Sequence, residues 1–197
     1  MKSLSDVRVI LASTSPRRHQ LLNLVGINHE VRPSDVEEIQ LAGEAPEAYA
    51  ERLARAKAET VAAAAPDALV VGADTIVVID DTVLEKPRDE QHAQQMLEQL
   101  TGRTHVVMTA VAVVYAGRTV STVEKVSVTF RRLLHDEQLS YIKTGEPMDK
   151  AGAYGIQGFG ATIVNRIDGD YFAVMGLSLV RLVDLLLEVG VRYEFVK

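Results

Sequence analysis

Stretches rich in valine and isoleucine alternate along this chain with stretches whose apolar residues recur every three or four positions, the pattern of an α/β protein with a sheet at its centre. Val7 to Ala12 reads as a first strand. It is followed by the polar Ser13-Thr14-Ser15 and by a helix with Pro16 in its first turn and Gly26 just past its end. A second helix starts near Pro46, carries Tyr49, Leu53, Ala56 and Val61, and is stopped by Pro66. Ala68 to Ile79 then reads as a buried strand interrupted by Asp74. Asp80-Asp81 turns into a short strand before Glu85-Lys86-Pro87, and Asp89 caps a helix that passes Met96 and Leu100 and ends at Gly102. Two long strands, His105 to Tyr115 and Arg118 to Phe130, flank the hairpin signal Ala116-Gly117. Asp136 is expected to cap a short helix reaching Lys143. A glycine-rich loop covers Gly145 to Gly160, Asp168-Gly169 suggests a further hairpin, and Leu177 to Glu188 forms a last helix.

With 197 residues the chain is long enough for one well-buried folding unit and short for two independent ones. The hydrophobic share of 47% and charged share of 24% are ordinary for a globular protein. The absence of cysteine excludes disulfides and thiolate metal sites, so a metal would be held by oxygen or histidine nitrogen, which suits a hard cation such as magnesium or manganese. The segment MKSLSDVRVI lacks a basic stretch followed by an apolar one, and no later run is apolar for the length of a membrane span, so a cytoplasmic protein without a membrane partner is expected. A net charge of -6 and an aromatic share of 5% argue against nucleic acid as a partner.

Against that acidic background, local clusters stand out. Ser13-Thr14-Ser15-Pro16-Arg17-Arg18 sets hydroxyls and two guanidinium groups where a strand meets a helix N-terminus, a place that favours an anion such as phosphate; a capped helix with solvated arginines is the plainer alternative. The spacing is not that of a P-loop. Asp74, followed by Thr75, sits inside the apolar run Leu69 to Ile79, where an unpaired charge is costly; it needs a metal, a water to deprotonate, or a basic side chain. Either Glu37 or Glu38, in a polar loop, could join Asp74 in a carboxylate site for a hard cation, although adjacent acids of this kind usually face solvent. Lys86, restricted by Pro87, can neutralise phosphate, whereas Lys57, near Arg52 and Arg55 on the second helix, reads by itself as part of a solvated face. The stretch Met148 to Gly158 carries glycines that permit close backbone approach and a glutamine, Gln157, whose amide can both donate to and accept from a base edge. The histidines show no metal-ligand spacing, and neither Ser13 nor Ser15 has a partner set for acyl chemistry.

Four motifs in order, LASTSPRR, GADTIV, LEKPRD and DKAGAYGIQG, resemble those of the Maf family of nucleoside triphosphate pyrophosphatases over essentially the whole chain. The resemblance implies an elongated mixed β-sheet flanked by helices, with two lobes around a central cleft, similar to the fold of inosine triphosphate pyrophosphatases (the Maf/Ham1 fold), in a single domain over residues 1–197. It further implies a homodimer that takes a nucleoside triphosphate and a divalent cation, Mg2+ or Mn2+. On the matching positions Asp74 is the proton acceptor, Ser13, Arg17, Arg18, Lys57 and Lys86 surround the triphosphate, and Glu38 stands with Asp74 near the metal. Arg17, Thr75 and Gln157 side with the branch similar to dTTP/UTP pyrophosphatases, whereas a sister branch similar to 7-methyl-GTP pyrophosphatases tends to carry tryptophan, glutamine and glutamate there. Two other expectations stay open: a broader house-cleaning pyrophosphatase for modified or purine triphosphates, and a septation regulator that acts by binding.

Overall fold

The computed structural model describes residues 1–195; residues 196 and 197, part of the expected domain, lie outside the described residues. The strands are β1 (Lys2–Ser3), β2 (Val9–Leu11), β3 (Glu30–Val31), β4 (Leu69–Ile79), β5 (Thr82–Leu84), β6 (Thr104–Tyr115), β7 (Arg118–Phe130), β8 (Val164–Asp168) and β9 (Val191–Arg192). The helices are α1 (Pro16–Leu24), α2 (Pro46–Ala63), α3 (Glu90–Leu100), α4 (His135–Lys143), α5 (Tyr171–Met175) and α6 (Leu179–Glu188). The main sheet is mixed: its hydrogen-bonded order is β3-β2-β4-β6-β7-β8, with β5 paired to β4, while β1 and β9 form a separate parallel pair. Ile10 of β2 lies opposite Glu30 of β3 and Val70 of β4, both in parallel register. By contacts the chain forms two compact units. The first comprises Met1–Asp74, Thr109–Glu124 and the chain from Gly176; the second comprises Thr75–Met108 and Lys125–Met175.

In the first unit, Ser15 caps α1 by accepting from the Arg18 backbone amide at 3.5 Å, Pro16 occupies the first turn, and Gly26 takes the left-handed conformation (φ 69°) beyond its end. Helix α2 also opens on a proline. Its buried residues, Tyr49, Ala50, Leu53, Ala54, Lys57, Ala58 and Val61, recur at three- and four-residue spacing, so one stripe faces the sheet. Strand β4 is buried along nearly all its length, as expected for a strand with neighbours on both edges and helices against it.

In the second unit, Asp89 caps α3 by accepting from the His92 amide at 2.7 Å, and Met96, Leu97 and Leu100 are fully buried, each worth about 1.5–3 kcal/mol. His105, Phe130 and Tyr154 pack edge to face with ring centroids 4.6–5.3 Å apart. His105 Nε2 lies 2.8 Å from the Tyr154 hydroxyl, and burial pushes the imidazole down to about 4.

Some element boundaries depart from the sequence pattern. The first strand is confined to Val9–Leu11, because Leu4–Asp6 winds into a 3-10 turn that Val7 closes. Asp136 lies inside α4 rather than capping it: the helix starts at His135, and the Glu137 carboxylate reaches back to accept from the Leu134 amide at 2.8 Å. Asp168-Gly169 makes no hairpin; β8 pairs back onto β7, with Val128 opposite Ile167, and the chain then enters α5. The last helix starts at Leu179, where Ser178 accepts from the Arg181 amide at 3.3 Å, and the glycine-rich segment is wound into three short 3-10 turns.

Candidate active site

The end of β2 delivers Ser13 to the start of α1. Its side-chain oxygen accepts from the Ser15 backbone amide and from Arg18 Nη1, both at 3.1 Å, while Arg18 Nε donates to the carbonyl of Gly176 at 2.8 Å. Two anchors therefore fix the guanidinium beside a helix N-terminus, with half-buried Arg17 one residue earlier. Burial pushes the Arg18 guanidinium below its ordinary value; the charges of Asp74 and Glu38 oppose that shift and Arg17 adds to it. The local field holds two cations and two anions close together.

The anions meet a third cation. A Cβ on Gly72 of β4 would lie 2.3 Å from the Ala54 carbonyl oxygen and 2.8 Å from the Ala58 nitrogen of α2, so only glycine lets this helix approach so closely. Asp74 lies two residues further on, on the same face of the strand. Lys57, between Ala54 and Ala58 along the helix, reaches Asp74 Oδ1 at 2.6 Å and Glu38 Oε1 at 2.5 Å. Lys57 and Asp74 are each only 6% exposed, so the pair is desolvated, whereas the Glu38 side chain keeps 44% of its surface. Lys57 is thus not part of a solvated face: it stands in the buried row Tyr49-Leu53-Lys57-Val61. Asp74 finds its basic partner there, and of the two neighbouring acids it is Glu38 that joins them.

The loop bearing Glu38 has its own tether, which sequence reasoning missed. Arg52 binds the Glu44 carboxylate through Nε at 2.6 Å and Nη2 at 2.8 Å, and Nη2 also donates to the Ile39 carbonyl at 2.9 Å. This hydrogen-bonded guanidinium pulls the Glu44 carboxyl down to about 2.

Thr75, Lys86 and Gln157 belong to the second unit. Thr75 is half-buried on β4, Lys86 is exposed just after β5, and Gln157 is exposed at the start of the last 3-10 turn. Gly152 links their segments: its amide donates to the Glu85 carbonyl at 3.1 Å, and a Cβ there would lie 2.9 Å from Val77 of β4.

A family model described as Maf-like protein matches residues 8–189. The chain belongs to this family. A dTTP/UTP pyrophosphatase of Aquifex aeolicus is 49% identical over 184 residues, covering 93% of this chain and 96% of that protein. Another, of Yersinia pestis, is 52% identical over 177 residues, covering 89% and 90%. Among solved structures, the Ham1 protein of Staphylococcus aureus aligns over 80% of this chain and 79% of its own, with a TM-score of 0.48 and 17% identity.

In this Maf family chain the carboxylates of Glu38 and Asp74 converge on one cationic point, held by the Lys57 ammonium. Such an all-oxygen pair suits magnesium or manganese, which commonly takes one or two carboxylates and completes its shell with water and phosphate oxygens. Among the described residues no group of three or more histidine, aspartate or glutamate side chains is placed to hold a metal ion.

Proposed function

We propose that this Maf family member hydrolyses dTTP and UTP to the nucleoside monophosphate and pyrophosphate. The observation that carries the reading is the Lys57 ammonium buried between Asp74 and Glu38, in the field of the fixed Arg18 guanidinium. Desolvated charges are retained where chemistry uses them, and phosphoryl transfer relies above all on positioning and on offsetting negative charge. The names carried by relatives about half identical to this chain support the substrate.

In this mechanism Asp74 accepts the proton of the water that attacks the α-phosphorus. Lys57 holds that carboxylate in place through a 2.6 Å bond. Arg18, pinned by Ser13 and Gly176, together with Arg17, Lys57 and Lys86, offsets the charge that develops on the leaving pyrophosphate. A divalent cation, Mg2+ or Mn2+, held by Glu38 and Asp74, would neutralise phosphate oxygens. Thr75 and Gln157 read the pyrimidine edge, where an amide both donates and accepts. The enzyme works as a homodimer in the cytoplasm; among the described residues no helix is long and apolar enough to cross a membrane.

The test is pyrophosphate release from dTTP, UTP, CTP, GTP, ITP and 7-methyl-GTP, with magnesium or manganese and with chelator. Preference for dTTP and UTP that disappears with chelator is the expected result. Equal rates on purine triphosphates would replace the pyrimidine reading with the broader pyrophosphatase, and no release from any of them would overturn the enzymatic reading.

A further inference from the structure

Gln157 sits near the tip of a tight loop, and one carboxylate holds the neck of that loop closed. Glu146 Oε1 accepts from the Gly160 amide at 2.9 Å and from the Tyr141 hydroxyl at 2.9 Å, while Oε2 accepts from the Phe159 amide at 2.8 Å. The same Tyr141 oxygen accepts from the Gly155 amide at 3.0 Å. Glu146 is therefore bonded directly to the chain after Gln157 and, through one phenol, to the chain before it. The fit leaves no spare room. A Cβ at Gly158 (φ +66°) would fall 2.4 Å from Glu146 Oε2, and one at Gly160 would fall 2.0 Å from the Gly155 carbonyl oxygen. Tyr141 is buried, and burial raises its hydroxyl well above the ordinary range, so it stays protonated and donates to Glu146. Lys150 adds a strut: its stem would lie 3.1 Å from a Cβ on Gly155, and its ammonium binds the Glu146 carbonyl at 2.5 Å.

A carboxylate that accepts from successive backbone amides is held by charge-assisted bonds that a neutral amide cannot reproduce, since one of its two terminal atoms is itself a donor. We infer that Glu146 is a specificity-determining positioning residue: by closing the neck of the loop 155–160 on both sides it sets how Gln157 is presented to the base. The inference rests on Gln157 reading the base. Glu146 touches neither phosphate nor the attacking water in this account, so its loss acts on base discrimination and leaves phosphate chemistry alone.

The experiment compares wild type, Glu146→Gln, Gln157→Ala and the double variant by kcat and KM for dTTP and GTP, with circular dichroism to verify folding. Glu146→Gln is expected to lower the dTTP-to-GTP ratio of kcat/KM by at least about 10-fold, mostly through KM for dTTP. The double variant is expected to discriminate no worse than Gln157→Ala, because both changes break one chain of action. A carboxylate with a merely structural role would lower kcat for both triphosphates together and leave the ratio standing, which overturns the inference. An additive double variant overturns it as well. If Gln157→Ala itself keeps the wild-type ratio, the base-reading role falls and this inference with it. If wild type hydrolyses neither triphosphate, the proposed activity falls first. Should Glu146→Gln fail to fold, Tyr141→Phe takes its place: it removes only the hydroxyl that joins Glu146 to Gly155, and an unchanged ratio there overturns the inference.

Discussion

Gly72→Ala adds one methyl group at the closest approach of α2 to β4, and the structure sets its consequence. The new Cβ would stand 2.3 Å from the Ala54 carbonyl oxygen and 2.8 Å from the Ala58 nitrogen, against an ordinary contact of 3.4 Å or more. Both obstacles are helix backbone and cannot rotate away, so α2 must withdraw by about 1 Å. Lys57 rides between these alanines, and the same retreat stretches its 2.6 Å bond to Asp74 beyond hydrogen-bond length. Overpacking of this kind costs about 1–3 kcal/mol, and loosening a desolvated ion pair adds to it, so a total of about 2–4 kcal/mol is expected. For a chain of this size that corresponds to a melting temperature lower by roughly 5–15 °C. Thermal unfolding followed by circular dichroism measures the stability loss, and dTTP hydrolysis well below the transition measures the effect on the site, where about a 100-fold fall is expected. Gly117→Ala is the control. It strains a left-handed position (φ +75°) but meets nothing within 4 Å, so it reports backbone strain without overlap. A Gly72→Ala protein with native melting temperature and native turnover would refute the link from helix approach to ion pair to activity.

Other outcomes follow from the same geometry. Asp74→Asn is expected to lower turnover by about 100- to 10,000-fold and stability by about 1–3 kcal/mol, since the amide still meets Lys57 but without charge; near-native kcat would remove Asp74 from the reaction. Arg18→Lys keeps the charge but cannot hold Ser13 and Gly176 together, so kcat/KM for dTTP should fall by about 10-fold, and unchanged kinetics would show that charge alone suffices. His105 has a folded value near 4 against 6.5 when exposed. The folded state therefore binds fewer protons between those values, and its contribution is complete above 6.5 and lost as pH falls through 4. Urea unfolding at about pH 7.5 and about pH 4 should show wild type losing about 3 kcal/mol more than His105→Gln, and equal losses would contradict it.

Much of the fold is legible because the chain marks its elements locally. The pattern Tyr49-Leu53-Lys57-Val61 is a helical row read directly from spacing, and it contains the clue that Lys57 is buried, which the nearby Arg52 and Arg55 obscure. Asp80-Asp81 (φ 48° and 59°) and Ala116-Gly117 (φ 49° and 75°) turn where the sequence marks turns. Asp168-Gly169 carries a similar signal without a hairpin, because a turn residue shows where the chain can bend and not whether a strand follows. The charged partners were less readable. Asp74 announces a need for a counter-charge, but lysine, arginine and metal all meet it, and only the approach of α2 at Gly72 selects Lys57. The anchor of Arg18 on Gly176 is harder still, since a backbone carbonyl carries no residue identity to recognise.

The tethering of Arg18 has a thermodynamic consequence. A free arginine side chain surrenders about 1.5–2 kcal/mol of rotamer entropy when it is immobilised on a ligand. Here Ser13 and Gly176 already hold the guanidinium, so that ordering accompanies folding rather than binding. An anion arriving at the start of α1 meets a stiff receptor, and the calorimetric signature of its capture should be dominated by enthalpy and released water, with little loss of chain disorder left to oppose it.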